Sequence, residues 1–153
     1  MSSLTLKRLN KELSRFQASN DITGITINNP EDIMKWYANI KGPPESPYEE
    51  GTFDMLIRFD EDYPVKPPSV KFITPMYHPN VHRDGKICVD ILQHEWSPTQ
   101  NVRTILLSVM SLLTDPNPSS PANREAAELY LKDKKEYETK VRNYVKENAG
   151  KLI

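Results

Sequence analysis

The sequence predicts an α+β domain in which one N-terminal helix precedes a four-stranded antiparallel meander, a long loop and then three further helices. The prediction rests first on the hydrophobic period, which changes along the chain from about 3.6 residues to 2 and back to 3.6. It rests second on the short connections between the strand-like segments, which favour antiparallel neighbours. A length of 153 residues suits one hydrophobic core, and we expect residues 1–153 to form a single domain.

Composition and charge exclude several classes of protein. The chain has 37% hydrophobic and 27% charged residues, which is close to the averages of globular proteins. A net charge of −1 argues against a general nucleic-acid binder, and no apolar run approaches the roughly 20 residues of a membrane helix. Because residues 1–20 carry charges in place of a signal-peptide core, we expect a soluble intracellular protein.

The first predicted element is an amphipathic helix over residues 4–18. Leu6, Leu9, Leu13 and Phe16 recur at helical spacing and form one apolar stripe. The cations of this segment fall on the opposite side: Lys7, Arg8, Lys11 and Arg15. Two interpretations stay open, since such a face is either an ordinary solvated surface or a docking ridge for an acidic partner.

Four strands follow, in which apolar and polar side chains alternate. The predicted ranges are 22–28, 34–41, 53–59 and 70–72. The second strand is the clearest, because Trp36, Ala38 and Ile40 are separated by polar or amphipathic residues.

The C-terminal part of the chain predicts three helices. Apolar residues at positions i, i+3, i+4 and i+7 over residues 102–113 are typical of a well-buried helix. Ser97-Pro98-Thr99 is its expected start signal, and Asp115-Pro116-Asn117-Pro118 its stop. Apolar positions around residues 126–130 and 137–145 indicate the last two helices.

Residues 74–101 show no clear period and include the only cysteine of the chain, Cys88. Loops longer than about 12 to 15 residues are uncommon in compact domains and are usually functional when they are ordered. A single cysteine excludes an internal disulfide and the multi-cysteine zinc sites, and we expect no metal. Three roles for Cys88 stay open: a small buried apolar side chain, acyl transfer through a thioester, or a hydrolase nucleophile with His78, His82 or His94 as its base.

Several motifs resemble those of the ubiquitin-conjugating enzyme family. His78-Pro79-Asn80 is followed, eight residues after the asparagine, by Cys88, in an arrangement similar to the active-site motif of that family. Further family motifs occur in the same order along the chain: Pro64-Val65-Lys66-Pro67-Pro68, Trp96-Ser97-Pro98 and Asp115-Pro116-Asn117-Pro118. The resemblance covers about residues 4–145 and implies the ubiquitin-conjugating fold, with residues 74–101 as the active-site loop. Within the family, residues 119–123 resemble those of extension-free members that ubiquitinate histones in DNA-damage tolerance.

The resemblance implies a carrier that accepts the carboxyl terminus of ubiquitin on Cys88 as a thioester and passes it, with a ligase, to a lysine of a substrate protein. Such a site needs a hydrogen-bond donor where negative charge develops on the carbonyl oxygen, more than it needs a strong base. Asn80 suits that role, and it equally suits the role of fixing the loop. By the same resemblance the approach of lysine is bordered by Asp90, Ser120 and His82, and the structure of the site is maintained by His78 and Pro79.

Ser120 departs from the family pattern, because many relatives carry an acidic residue at the matching place. A serine donates and accepts hydrogen bonds but holds no formal charge. An incoming lysine is protonated in water, with a pKa near 10.4, and only its neutral form attacks. We therefore expect unassisted transfer to lysine to be weak and to depend on a ligase.

The partner surfaces are also implied by the resemblance. The residues similar to those that meet the activating enzyme and RING-type ligases are Lys7, Arg8, Lys11, Val65, Ser97, Pro98 and Thr99. Val65 counts against a HECT-type ligase, since relatives that work with such ligases often have an aromatic residue there. Leu107 resembles the contact for thioester-linked ubiquitin, and Ile25 falls where some relatives bind a second ubiquitin on the outer face of the sheet.

Two other functions would keep this fold: conjugation of a different ubiquitin-like modifier, and non-catalytic ubiquitin binding. The presence of Cys88 argues against the second, and the lack of an insertion between Leu92 and Trp96 argues against the SUMO-type conjugating enzyme. The partners implied are ubiquitin, an activating enzyme, a RING-type ligase and a substrate protein, with no cofactor, no metal, no nucleic acid and no membrane. A monomer located in the cytoplasm and nucleus is expected.

Overall fold

The computed structural model describes residues 3–18 and 24–149. Its helices and strands are α1 (Ser3–Ala18), β1 (Ile25–Ile27), β2 (Lys35–Lys41), β3 (Thr52–Arg58), β4 (Ser69–Phe72), α2 (Val102–Thr114), α3 (Arg124–Lys132) and α4 (Lys134–Asn148). A short 3-10 helix, Asp90–Leu92, lies in the long loop. The predicted α+β order is confirmed. In the described parts of the chain, no helix is long and apolar enough to cross a membrane.

The four strands form one antiparallel sheet in the order β1-β2-β3-β4, as the meander prediction requires. Alternation along β2 buries Trp36 and Ile40 and leaves Tyr37 45% exposed on the outer face. The buried residues meet apolar partners on β3, since Trp36 lies opposite Ile57 and Ile40 opposite Phe53. The sheet therefore has one face in the core and one face toward solvent.

Two predictions about the first strand need correction. The strand is shorter than predicted, and positions 22 and 23 of the predicted range lie outside the described residues. The expectation that Ile25 belongs to an outer-face ubiquitin site is wrong, because Ile25 is only 6% exposed. Its register explains the burial: Ile25 lies opposite Ile40, and cross-strand partners share a face of the sheet.

One hydrophobic cluster joins the inner face of the sheet to the helices. Helix α2 buries one stripe with Ile105, Leu106, Val109 and Leu113, as its spacing predicts. Helix α1 contributes Leu9 and Leu13, and α4 contributes Tyr137, Val141 and Val145. Full burial of each such side chain contributes about 1.5 to 3 kcal/mol to folding, so this cluster fixes the helices on the sheet.

Helix α2 begins at Val102, beyond the predicted Ser97-Pro98-Thr99 start signal. Its N-cap is Asn101, whose side chain accepts a hydrogen bond from the Thr104 N–H at 2.9 Å, while the Asn101 N–H donates to the Thr104 hydroxyl at 3.0 Å. The Val102 N–H donates to the Glu12 carboxylate of α1 at 2.9 Å. The carboxylate lies at the positive end of the α2 dipole, which ties α1 to the start of α2.

Candidate active site

A hairpin over residues 80–88 places Asn80 directly opposite Cys88. Val81 and Ile87 form an antiparallel bridge, and the Cys88 N–H donates to the Asn80 carbonyl at 2.8 Å. The His82 N–H donates to the Lys86 carbonyl, also at 2.8 Å. In an antiparallel hairpin the residue numbers of paired positions add up to the same value, and this holds for Asn80 with Cys88, Val81 with Ile87, and His82 with Lys86. The eight-residue spacing between the asparagine and the cysteine is therefore the spacing of a hairpin pair.

Gly85 attaches this hairpin to the edge of the sheet. Its φ is +94°, and a Cβ atom at this position would lie 2.0 Å from the Phe72 carbonyl oxygen. The Phe72 N–H donates to the Gly85 carbonyl at 2.9 Å, and Lys71 pairs with Lys86. Residues 74–101 are thus more ordered than the absence of a period suggested. An Asp-Gly pair, here Asp84-Gly85 between the apolar residues Val81 and Ile87 further along each arm, is a hairpin signal that would have revealed the turn.

His78 is fully buried behind the hairpin. Its Nδ1 accepts a hydrogen bond from the Asn80 N–H at 2.9 Å, so its hydrogen is on Nε2, which donates to the Leu112 carbonyl of α2 at 2.7 Å. Burial lowers the pKa of His78 to about 4, against the smaller opposing effect of the bond to Leu112. A neutral imidazole with both nitrogens engaged is not available as a base, and it joins the hairpin to α2.

The carboxamide of Asn80 holds the 115–123 loop, which connects α2 to α3. Its Nδ2 donates to the Asn117 carbonyl at 2.7 Å and to the Ser120 carbonyl at 3.1 Å. Its Oδ1 accepts from the Asn117 N–H at 2.8 Å, and the side chain is completely buried. The Pro79 carbonyl adds two bonds, from the N–H groups of Ala122 and Asn123 at 2.8 and 3.0 Å. Both amide hydrogens of Asn80 are therefore engaged in this structure.

Cys88 is half-buried and opens into a cavity of about 280 Å³. The cavity lies between the 3-10 helix, α2 and the 115–123 loop. Its lining residues are Cys88, Val89, Asp90, Ile91, Gln93, His94, Glu95, Ser108, Leu112, Asn117 and Ser120. The Nε2 of Gln93 lies 3.8 Å from the Cys88 sulfur, within reach of a weak N–H to sulfur hydrogen bond.

Asp90 and Ser120, which the resemblance assigns to the approach of lysine, line this cavity together with Cys88. His82 is exposed in the turn of the hairpin and, among the described residues, is not part of the lining. Gln93 and Glu95 belong to the cavity but were not singled out by sequence analysis. Their proximity depends on the 3-10 turn, which has no hydrophobic period to reveal it.

The predicted docking residues meet at one end of the molecule. Arg8 binds the Glu12 carboxylate at 2.8 Å, the Pro98 carbonyl at 3.0 Å and the Gln100 carbonyl. Arg8 is therefore an internal support for the loop before α2 rather than a free surface cation. Lys7 and Lys11 are exposed on the same helix, and Ser97, Pro98 and Thr99 lie in the supported loop.

The apolar side of this end is held by Tyr63 and Trp96. Their rings lie 5.9 Å apart, and the Trp96 indole donates to the Pro64 carbonyl at 3.0 Å. The pKa of Tyr63 is raised well above its usual value by burial and by the Glu12 carboxylate. This carboxylate accepts a hydrogen bond from the Tyr63 hydroxyl. Val65, two residues beyond Tyr63, is 74% exposed. An exposed apolar side chain thus directly follows Pro64, whose carbonyl is bound by Trp96.

Leu107 lies on the opposite side of α2 from the core and is 39% exposed. Its neighbour Ser108 lines the Cys88 cavity. Leu107 itself does not line the cavity, but its side chain is accessible to a partner.

Comparison with known proteins is consistent with these features. A family model described as "Ubiquitin-conjugating enzyme" matches residues 8–145. A "Ubiquitin-conjugating enzyme E2 2" of Neurospora crassa is 46% identical over 149 residues, which cover 97% of this chain and 98% of the relative. Proteins of the same description from Debaryomyces hansenii and Yarrowia lipolytica are each 49% identical over 146 residues, which cover 95% of this chain and 86% and 96% of the relatives. The chain therefore belongs to the ubiquitin-conjugating enzyme family and is a transferase that works with ubiquitin, an activating enzyme and ligases.

Proposed function

We propose that Cys88 carries ubiquitin as a thioester between the activating enzyme and a substrate lysine. In the first step the Cys88 thiolate attacks the thioester carbonyl of the loaded activating enzyme, a new C–S bond forms, and the thiolate of the activating enzyme leaves. In the second step a neutral lysine amine attacks, an isopeptide bond forms, the Cys88–carbonyl bond breaks, and the amine proton passes to water. The observation that carries the proposal is the half-buried Cys88 thiol at an open cavity, opposite Asn80 in a rigid hairpin.

Thioester transfer is favoured over hydrolysis by the family to which the chain belongs. Of the three histidines considered as hydrolase bases, His78 is neutral and engaged through both nitrogens, His82 lies outside the cavity lining, and His94 is the one that lines the cavity with Cys88. Transfer between two thiols needs no such base, since a thiolate both attacks and leaves. The Gln93 amide beside the sulfur is the kind of group that stabilises charge without taking a proton.

Asn80 acts first as a positioning residue in this proposal. Both of its amide hydrogens bind backbone carbonyls of the 115–123 loop, so donation to an oxyanion requires that one bond be released. The intact bonds hold Asn117 and Ser120 at the wall of the cavity. Asp90 and Ser120 then border the path of the lysine, and the charge of Asp90 orients the amine.

The partner surfaces follow from the same arrangement. The end formed by α1, Val65 and the loop at 97–100 supplies exposed cations next to an exposed apolar side chain, which suits both the activating enzyme and a RING-type ligase. One shared surface means that reloading requires release of the ligase. Leu107 is the contact for the thioester-linked ubiquitin. Monomeric state, location in cytoplasm and nucleus, and action on histones in DNA-damage tolerance remain predictions from the sequence.

The test of the carrier role is a charging assay. The protein is mixed with activating enzyme, ATP and labelled ubiquitin, and the products are compared on non-reducing and reducing gels. The expected adduct is removed by reductant in the wild type and becomes a reductant-resistant ester in Cys88→Ser, while Cys88→Ala gives none. Absence of an adduct with several activating enzymes would leave only a non-catalytic role.

A further inference from the structure

One wall of the Cys88 cavity carries two carboxylates and an imidazole. One polar atom each of Asp90, His94 and Glu95 lies within 4.8 Å of the other two, and all three residues line the cavity. The described residues of the lining include neither lysine nor arginine. The mouth of the cavity is therefore negatively charged on the side of the 3-10 helix.

Backbone hydrogen bonds fix this arrangement. The N–H groups of Gln93 and Glu95 both donate to the Asp90 carbonyl, at 3.0 and 3.1 Å, so the chain turns back on itself after the 3-10 helix. The turn brings Glu95 beside Asp90, although five positions separate them. The ion pairs found among the described residues involve neither carboxylate. Two neighbouring carboxylates repel each other, and the binding of a cation relieves that repulsion.

We propose that Glu95, acting with Asp90, is a specificity-determining residue that favours acceptor lysines in basic segments of a substrate protein. Both carboxylates and the Cys88 sulfur line the same cavity, so an acceptor that enters beside the 3-10 helix meets these carboxylates next to the carbonyl carbon attached to the sulfur. The inference rests on the proposed function, because an acceptor enters the cavity productively only when Cys88 carries an acyl group.

The two carboxylates affect the attacking amine and its flanking residues differently. Beside the reacting lysine, a carboxylate attracts the amine but also favours its protonated form, which does not attack. A flanking arginine stays protonated throughout and is only attracted. The preference for basic segments should therefore show as a difference in discharge rate between two peptides that have the same acceptor lysine and differ only in the residues beside it.

The experiment measures single-turnover discharge of the ubiquitin thioester formed on Cys88. Two short peptides are compared, with the lysine flanked by arginines in one and by glutamates in the other. We expect the wild type to prefer the arginine-flanked peptide, and Glu95→Gln to lower the ratio of the two rates by about threefold to tenfold at low ionic strength, with less effect in high salt. Glu95→Lys should reverse the preference.

Glu147→Gln is the matched control, because Glu147 is an exposed glutamate in the last turn of α4 and does not line the cavity. It should keep the wild-type ratio. A ratio that is the same in wild type, Glu95→Gln and Glu95→Lys overturns this inference and leaves the carrier role intact. Failure of the thioester to form overturns both.

Discussion

Replacing Asn80 with alanine tests how the active-site loop is held. The change removes three hydrogen bonds between a buried carboxamide and the backbone groups of Asn117 and Ser120. Each such bond contributes about 0.5 to 1.5 kcal/mol, so the free energy of unfolding should fall by about 3 kcal/mol. For a domain of this size the fall corresponds to a decrease in Tm of about 6 to 12 °C, which circular dichroism or scanning calorimetry measures.

The two chemical steps should respond unequally to the same change. Charging needs an accessible Cys88, and the hairpin that presents it is held by backbone bonds that Asn80→Ala leaves in place. Discharge to lysine needs the 115–123 loop, whose residues Asn117 and Ser120 line the cavity. We therefore expect discharge to free lysine to slow far more than charging. Equal slowing of both steps would mean that the whole site had collapsed.

A second variant separates loop support from direct action on the oxyanion. The side chain of Asn117 accepts bonds from the Ser119 N–H at 3.3 Å and hydroxyl at 2.6 Å, so Asn117→Ala loosens the loop and leaves the Asn80 carboxamide intact. It should share the discharge defect in a milder form. If Asn80→Ala instead slows discharge by about 100-fold to 1,000-fold with almost no change in Tm, while Asn117→Ala is fully active, the positioning argument is refuted in favour of an oxyanion donor.

Three further predictions concern single residues. The His78 ring should titrate near pH 4 by NMR, whereas in the unfolded chain it binds a proton near pH 6.5. The free energy of unfolding should therefore fall by about 3 kcal/mol as the pH falls from 6.5 to 4. Titration of the ring near pH 6.5 would contradict its burial. Ser120→Asp should raise ligase-free discharge to lysine about threefold, since it adds a carboxylate to the cavity wall, and an unchanged rate removes Ser120 from the mechanism. Arg8→Lys keeps the charge but loses the planar guanidinium that binds two carbonyls, so both the Tm and the rate of charging should fall. Lys7→Ala should reduce the rate of charging alone. Equal Tm values in the two variants would show that Arg8 does not support the loop.

The regular elements could be predicted because each one buries a periodic stripe. Trp36, Ala38 and Ile40 are all buried in β2, and the positions of α2 at helical spacing form its inner face. Burial against a common core selects apolar residues at fixed intervals, and those intervals are visible in a single sequence. Ile25 was misassigned because a strand of three residues is too short to show which of its faces is inside.

The start of α2 was predicted too early for a different reason. Ser97-Pro98-Thr99 has the composition of a helix start, and the Ser97 and Thr99 hydroxyls do bond to each other at 2.7 Å. The helix nevertheless begins at Val102, since the guanidinium of Arg8 binds the carbonyls of Pro98 and Gln100 and holds the chain in a turn. A contact between residues about 90 positions apart thus overrides the local helix-start signal. Such a contact cannot be recognised from the composition of the segment itself.

Residues 88–101 show no period because long-range contacts hold them as well. The Cys88 N–H binds Asn80, the Gln93 amide reaches the sulfur, the Trp96 indole binds Pro64, and the loop at 98–100 binds Arg8. Each contact uses a different chemical group and a different part of the fold, so no single interval repeats. One short segment, held at both ends, therefore sets the separation between the thiol and the docking loop. That arrangement suits a carrier that must present a thioester in one orientation to large partners, because the position of the sulfur relative to the docking surface does not depend on a long flexible connection.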